Sequence, residues 1–120
     1  ELTMEVKDFM LIMRATRAMN SIPTEKDLAE RKEWLADIEK RGLIVQKGGA
    51  TPASPDAVAK VFSDGSTTDG FDVNATEFIV GYLVIKAEDI NEAKNIALSN
   101  PLVKAGGTIE VRQILLRELH

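Results

Sequence analysis

Six side chains in this sequence have the types and spacing to do chemistry together. Asp69, beside Gly70, is a carboxylate that can act as a general base or hold a ligand's hydrogen-bond donor. An aspartate in an Asp-Gly pair can equally be a turn residue bonded to its own backbone. Glu110 and Arg112 stand two apart in an extended stretch, so both project from one face of it. Such a pair can bind an anionic ligand, because the arginine fork matches carboxylate geometry. It can also be a structural ion pair at an interface. Arg14, at the end of the first expected strand, can join that pair or stand alone on the surface. Glu77 opens the strongest expected strand, where it can meet a cation in a pocket or sit solvated at a strand end. Tyr82 is the single tyrosine; its hydroxyl can orient a ligand, or its ring can pack in a core or interface.

What is missing narrows the chemistry. The 120 residues include no cysteine, which excludes disulfides, thiolate nucleophiles and cysteine-bound zinc. The one histidine is His120, the last residue, so no Ser-His-Asp triad or histidine metal cluster forms inside one chain's core. Gly48-Gly49 and Gly106-Gly107 lack the spacing and the following helix of a phosphate loop. Asp64, Asp69 and Asp72 share one loop, but not at the spacing of an EF-hand. No metal and no cofactor is therefore expected. A net charge of −4 leaves no overall basic footprint for nucleic acid. No apolar run approaches the length of a membrane span, so no membrane partner is expected. No charged-then-apolar leader is visible, and with cysteine absent a cytoplasmic location is expected. The chain begins at Glu1 rather than Met, so a preceding piece is expected to have been removed or left out.

The elements that must position these residues follow from pattern. Residues 7–13, K-D-F-M-L-I-M, fit a buried strand. Thr24 with Asp27 makes a capping box for a helix over 25–41, with Leu28, Leu35 and Ile38 on its apolar face and Gly42 as its left-handed C-terminal stop. Trp34 falls outside that stripe, to pack at the helix edge or cover a pocket. A second strand over 43–47 is expected to stop at Gly48-Gly49, and a third covers 57–62. Residues 63–66 form a turn, and 67–75 an extended hairpin arm or loop. Residues 77–85, E-F-I-V-G-Y-L-V-I, are the strongest strand, and Gly81 within it marks close approach of a neighbour. Asp89 caps a second helix carrying Ile90, Ala93, Ile96 and Ala97, which Asn100-Pro101 ends. The last strand runs over 108–116, with Ile109, Val111 and Gln113 on one face and Glu110, Arg112 and Ile114 on the other.

The order β-α-β-β-β-α-β predicts one α+β domain over 1–120, a ferredoxin-like split β-α-β sheet with helices on one side. Phe9, Leu11 and Met13 alternate with Met10 and Ile12, and Phe78, Val80, Tyr82 and Val84 alternate with Ile79, Leu83 and Ile85. Both faces of the sheet are thus apolar, while two helices cover only one. A face-to-face homodimer is the expected answer.

Thr68-Asp69-Gly70, Glu77, Gly81 to Ile85, Glu92-Ala93, Pro101 and the ending G-T-I-E-V-R over 107–112 together resemble the YCII-related domain, in the branch named for its Asp-Gly-Pro-Phe motif. The resemblance covers about 7–115. It implies a subunit of a dimeric α+β barrel, with a pocket between helices, sheet and partner. The enzymatic branch of the family uses a His-Asp pair in acid–base work. Here Phe71-Asp72 stand where the branch has Pro-Phe, and Thr76 where it usually has Lys. No histidine precedes His120, so that pair is not carried over. The expected function is a dimeric protein binding a small organic or anionic ligand at the sheet and dimer interface. The alternative is a cofactor-independent enzyme for proton abstraction, elimination or isomerisation, with Asp69 as base.

Overall fold

The computed structural model describes residues 6–16, 19, 24–52, 54–70 and 74–115. Glu1, Phe71, Asp72 and His120, named above, lie outside these, as does residue 116, the end expected for the last strand. Strand β1 is Lys7–Thr16, helix α1 Glu25–Lys40, strand β2 Ile44–Ala50, strand β3 Ala59–Val61 and strand β4 Thr67–Asp69. Strand β5 is Glu77–Ala87, helix α2 Ile90–Leu98, helix α3 Pro101–Lys104 and strand β6 Thr108–Gln113. The main sheet has the order β2-β5-β1-β6 with antiparallel neighbours, and β3 pairs only with β4 as a separate ribbon. This is the expected α+β, ferredoxin-like arrangement, with the ribbon inserted between β2 and β5. None of the described helices is long and apolar enough to cross a membrane.

Local chemistry explains the element ends. The Thr24 hydroxyl accepts the Asp27 N–H at 3.1 Å, and the Asp27 carboxylate accepts the Thr24 N–H at 2.9 Å. Those bonds fill two of the donors that every helix start leaves open. The bond from the Thr24 N–H also holds the Asp27 carboxyl below its ordinary range. At the other end Gly42 takes φ 72°, the left-handed stop. Of the expected apolar face, Ile38 is buried and Leu35 half-buried, but Leu28 is exposed. The first turns of α1 therefore run past the packed layer, and Trp34, Leu35 and Ile38 carry the contact with the core.

Three expectations about where elements begin and end are corrected. Strand β2 does not stop at Gly48-Gly49 but continues to Ala50, with its register to β5 shifting between Gln46 and Gly49. Gly48 has φ +64°, and a Cβ there would overlap the Tyr82 carbonyl. Glycine is a bulge here, letting the strand continue. Asn100-Pro101 ends α2 but also starts α3: the buried Asn100 side chain accepts the Leu102 N–H at 2.8 Å, and proline suits a first helical position. The third strand shrinks to β3 because Pro55–Ala57 forms a 3-10 turn, and the expected arm supplies β4.

The core lies between one face of the sheet and the helices. Phe9, Leu11, Leu83, Ile85 and Ala87 meet Ile38, Ala93, Ile96 and Ala97. Gly81 lets the β2 backbone close in, since a Cβ there would stand 3.2 Å from the Gly49 carbonyl oxygen. A bulge in β5 opposite Met13 and Arg14 corrects the simple alternation read from residues 78–85. Phe78 pairs with Ala15 and joins the covered face, while Ile79 pairs with Arg14 and joins the other.

Candidate functional site

The face of the sheet turned away from the helices is built in rungs. One rung aligns Val84, Met10 and Arg112; the next aligns Tyr82, Ile12 and Glu110; the last aligns Ile79, Arg14 and Thr108. Strand alternation forces this grouping, because the neighbours Phe9, Leu11 and Met13 are spent on the core. Tyr82 and Ile79 are exposed, and Met10 and Ile12 are half-buried. Among the described residues no helix covers this face.

Charge is concentrated at its β6 side. Arg14 Nη1 donates to Glu110 Oε1 at 2.6 Å, and Arg112 Nη1 donates to Glu110 Oε2 at 2.7 Å. Each carboxylate oxygen thus takes one guanidinium. The side chains of Arg14 and Glu110 are 28% and 36% exposed, whereas Arg112 is 65% exposed. The bonds from Arg112 and then Arg14 hold the Glu110 carboxyl below the usual carboxylate range. Two guanidiniums and one carboxylate leave a local charge of +1. The planar fork of Arg112 keeps most of its surface open toward solvent, a geometry suited to an anionic oxygen pair. Glu77, paired with Thr16 at the far end of the face, accepts the Thr108 hydroxyl at 3.2 Å.

Five of the six residues singled out in the sequence, namely Arg14, Glu77, Tyr82, Glu110 and Arg112, therefore share one face. Asp69 does not join them within the chain. It ends β4 on the separate ribbon, opposite Ala59, with its side chain exposed. The acid that closes a turn onto its own backbone is instead Asp64, whose carboxylate accepts from the Ser66 N–H at 2.9 Å and the Ser66 hydroxyl at 2.6 Å. Those two bonds lower the Asp64 pKa. Sequence reasoning missed Thr108 and Ile79. Thr108 was legible as the i−2 neighbour of Glu110, but Ile79 reaches this face only through the β5 bulge.

A groove of about 490 Å³ lies on the opposite, helical side, between α1 and the α2–α3 segment. Trp34 lines it, with its indole N–H donated to the Ser99 hydroxyl at 2.8 Å, which fixes the ring at the helix edge. The groove mixes Glu30, Glu33 and Asp37 with Lys40 and Lys104. With both signs of charge and its one indole donor satisfied, it is a weaker candidate than the sheet face. No group of three or more potential metal ligands occurs among the described residues.

No curated protein matches the chain. A model of the YCII-related domain matches residues 9–117. The match runs from within β1 past the end of β6 and so takes in both helical segments, the ribbon and every strand of the main sheet. The chain belongs to the YCII-related domain family.

Proposed function

We propose that two copies of the chain associate through their open sheet faces and hold a small organic anion between them, beside the Arg14–Glu110–Arg112 group. One observation carries this reading: a single sheet face presents Met10, Ile12, Ile79 and Tyr82 together with two guanidiniums that share one carboxylate. An apolar face of this kind is stabilised by cover, and a second copy offers a self-complementary one. Enclosure would also strengthen the hold on an anion, because charges interact more strongly away from water. The Asp-Gly-Pro-Phe branch, suggested by the spacing from Asp69-Gly70 to Gly81-Tyr82, belongs to the same proposal.

Binding is favoured over acid–base chemistry. A general base near neutral pH needs a pKa near neutrality, and Glu110 is held in the opposite direction by its two arginines. The enzymatic alternative needs the Asp69 carboxylate, and Asp69 stands on the ribbon.

Light scattering at micromolar concentration should report a dimer for the wild type and a monomer for Ile12→Glu. Benzoate should raise the melting temperature, its neutral amide benzamide should not, and Arg112→Met should abolish the benzoate effect. A wild-type monomer whose melting temperature benzoate leaves unmoved would overturn the reading.

A further inference from the structure

The middle rung of the open face changes chemistry from strand to strand. Gly49 of β2, Tyr82 of β5, Ile12 of β1 and Glu110 of β6 stand side by side along it. The guanidiniums of Arg14 and Arg112 reach in from the rungs on either side and meet at the Glu110 carboxylate, 2.6 and 2.7 Å away. Both positive groups are therefore gathered at one end of this rung. The other end belongs to Tyr82. That residue is 40% exposed, and its hydroxyl forms no hydrogen bond among the described residues. Gly49 beside it has no side chain, and nothing lies within 4 Å of where a Cβ would stand. The outer flank of the tyrosine is thus open.

Distance narrows what can lie between the two ends. Two strand spacings separate Tyr82 from Glu110, about 10 Å. Strand side chains stand roughly perpendicular to their sheet, so the tips keep about that separation. Tyrosine and arginine are longer than the isoleucine between them, which makes Ile12 the floor of a shallow trough. A hydrogen bond of about 2.8 Å at each end leaves room for an apolar body about one ring long. Charge narrows it further. The local charge of +1 at the arginine end balances a single carboxylate, whereas the tyrosine end is neutral and can both donate and accept. Covered by a second copy, an unpaired hydroxyl there costs stability, and a neutral polar group on the ligand satisfies it. A second carboxylate at that end would be left without a counter-charge.

We infer that the ligand is a flat ring monocarboxylate with a neutral hydroxyl at the opposite end of the ring, its carboxylate on Arg112, its ring over Ile12 and its hydroxyl on Tyr82. The inference rests on the anion site proposed above. It adds the length of the ligand, its second polar group and the residue that selects for that group.

Calorimetric titration of the full chain with benzoate, para-hydroxybenzoate and ortho-hydroxybenzoate tests it. Wild type should bind para-hydroxybenzoate about tenfold more tightly than benzoate, the gain from one added hydrogen bond. The ortho isomer carries the same two groups at the wrong separation and should match benzoate to within about threefold. Tyr82→Phe keeps the ring and loses only the hydroxyl, so light scattering should report the same assembly as for wild type. Its benzoate affinity should be unchanged, and para-hydroxybenzoate should now bind to within about twofold of benzoate. A para-hydroxyl gain that persists in Tyr82→Phe, or equal binding of all three probes by wild type, would overturn the inference and leave the anion site standing. A fall in benzoate affinity as large as the fall for para-hydroxybenzoate would make Tyr82 a ring contact alone, and would also overturn it. If wild type binds none of the three, the anion site itself falls and this inference falls with it.

Discussion

The two faces of the main sheet are made from nearly the same residue types and have opposite fates. Phe9 and Leu11 are fully buried on one side of β1, while Met10 and Ile12, one residue along, are only partly covered on the other. Hydrophobicity alone does not separate them. The difference comes from what is packed above: Ile38, Ala93, Ile96 and Ala97 close the first face, and Arg14, Glu110 and Arg112 occupy the second. Where a strand is apolar on both sides, the charged residues of its neighbours show which side the chain's own helices leave open.

The sharpest way to break this comparison is to truncate adjacent residues of β1. Leu11→Ala should cost about 2–5 kcal/mol, because it opens a cavity in a closed core. Ile12→Ala should cost less than about 1 kcal/mol in urea unfolding at protein concentrations low enough to keep the chain monomeric. The gap should narrow as concentration rises and the second face gains its cover. Equal losses at low concentration would mean the two faces are not distinct.

Next in size is the bulge that shapes the edge of the same sheet. Gly48→Ala should destabilise by about 2 kcal/mol or more, since the new Cβ meets the Tyr82 carbonyl at a backbone conformation that side chains rarely adopt. Gly49→Ala should stay within about 0.5 kcal/mol, because nothing lies within 4 Å of its Cβ position. Thermal melts of the pair give the contrast directly. Similar losses at both positions would remove the bulge as the cause.

These contrasts mark what was legible in the sequence. Caps and stripes were legible because they are local: Thr24 with Asp27, Gly42 and Asp89 each act within four residues. The two-faced sheet and the grouping of Arg14 with Glu110 and Arg112 were also legible, because strand period alone fixes which residues share a face. The bulges were not. Whether Gly48 ends a strand or bends it depends on the Tyr82 carbonyl more than thirty positions away, and Ile79 changes face only because the β1–β5 register shifts between Met13 and Arg14. Asp69 shows the remaining limit. Its Asp-Gly context suggested a turn or a pocket, yet the turn belongs to Asp64, and Asp69 ends β4 with its side chain exposed opposite Ala59.

The helical layer gives a smaller effect. Thr24→Ala should cost about 1 kcal/mol, lost from the capping box of α1. Because that layer covers only the core side, dimerisation by light scattering should be unchanged. A weaker dimer would tie the helix to the open face after all.

The smallest expected effect lies on the open face itself and is read through pH. The Glu110 carboxyl is held below its ordinary value of 4.5 by Arg112 and Arg14. Between the folded and unfolded values the unfolded chain binds more protons at this site, so stability rises with pH there. The contribution is fully present above about pH 4.5 and is lost as pH falls through the depressed folded value. Asp27 and Asp64 are shifted in the same direction for their own reasons, so the wild-type profile alone cannot isolate Glu110. The difference between wild type and Glu110→Gln can, because the other two carboxylates titrate equally in both. That difference should be flat above pH 4.5 and shrink toward acid. In 1 M salt it should shrink at every pH, since the group is partly exposed and its charges are screened. In the dimer the apolar cover would shield the same charges, and salt should then reduce the difference less. A difference that stays constant from pH 6 to 3 would mean the arginines do not act on Glu110 through its charge.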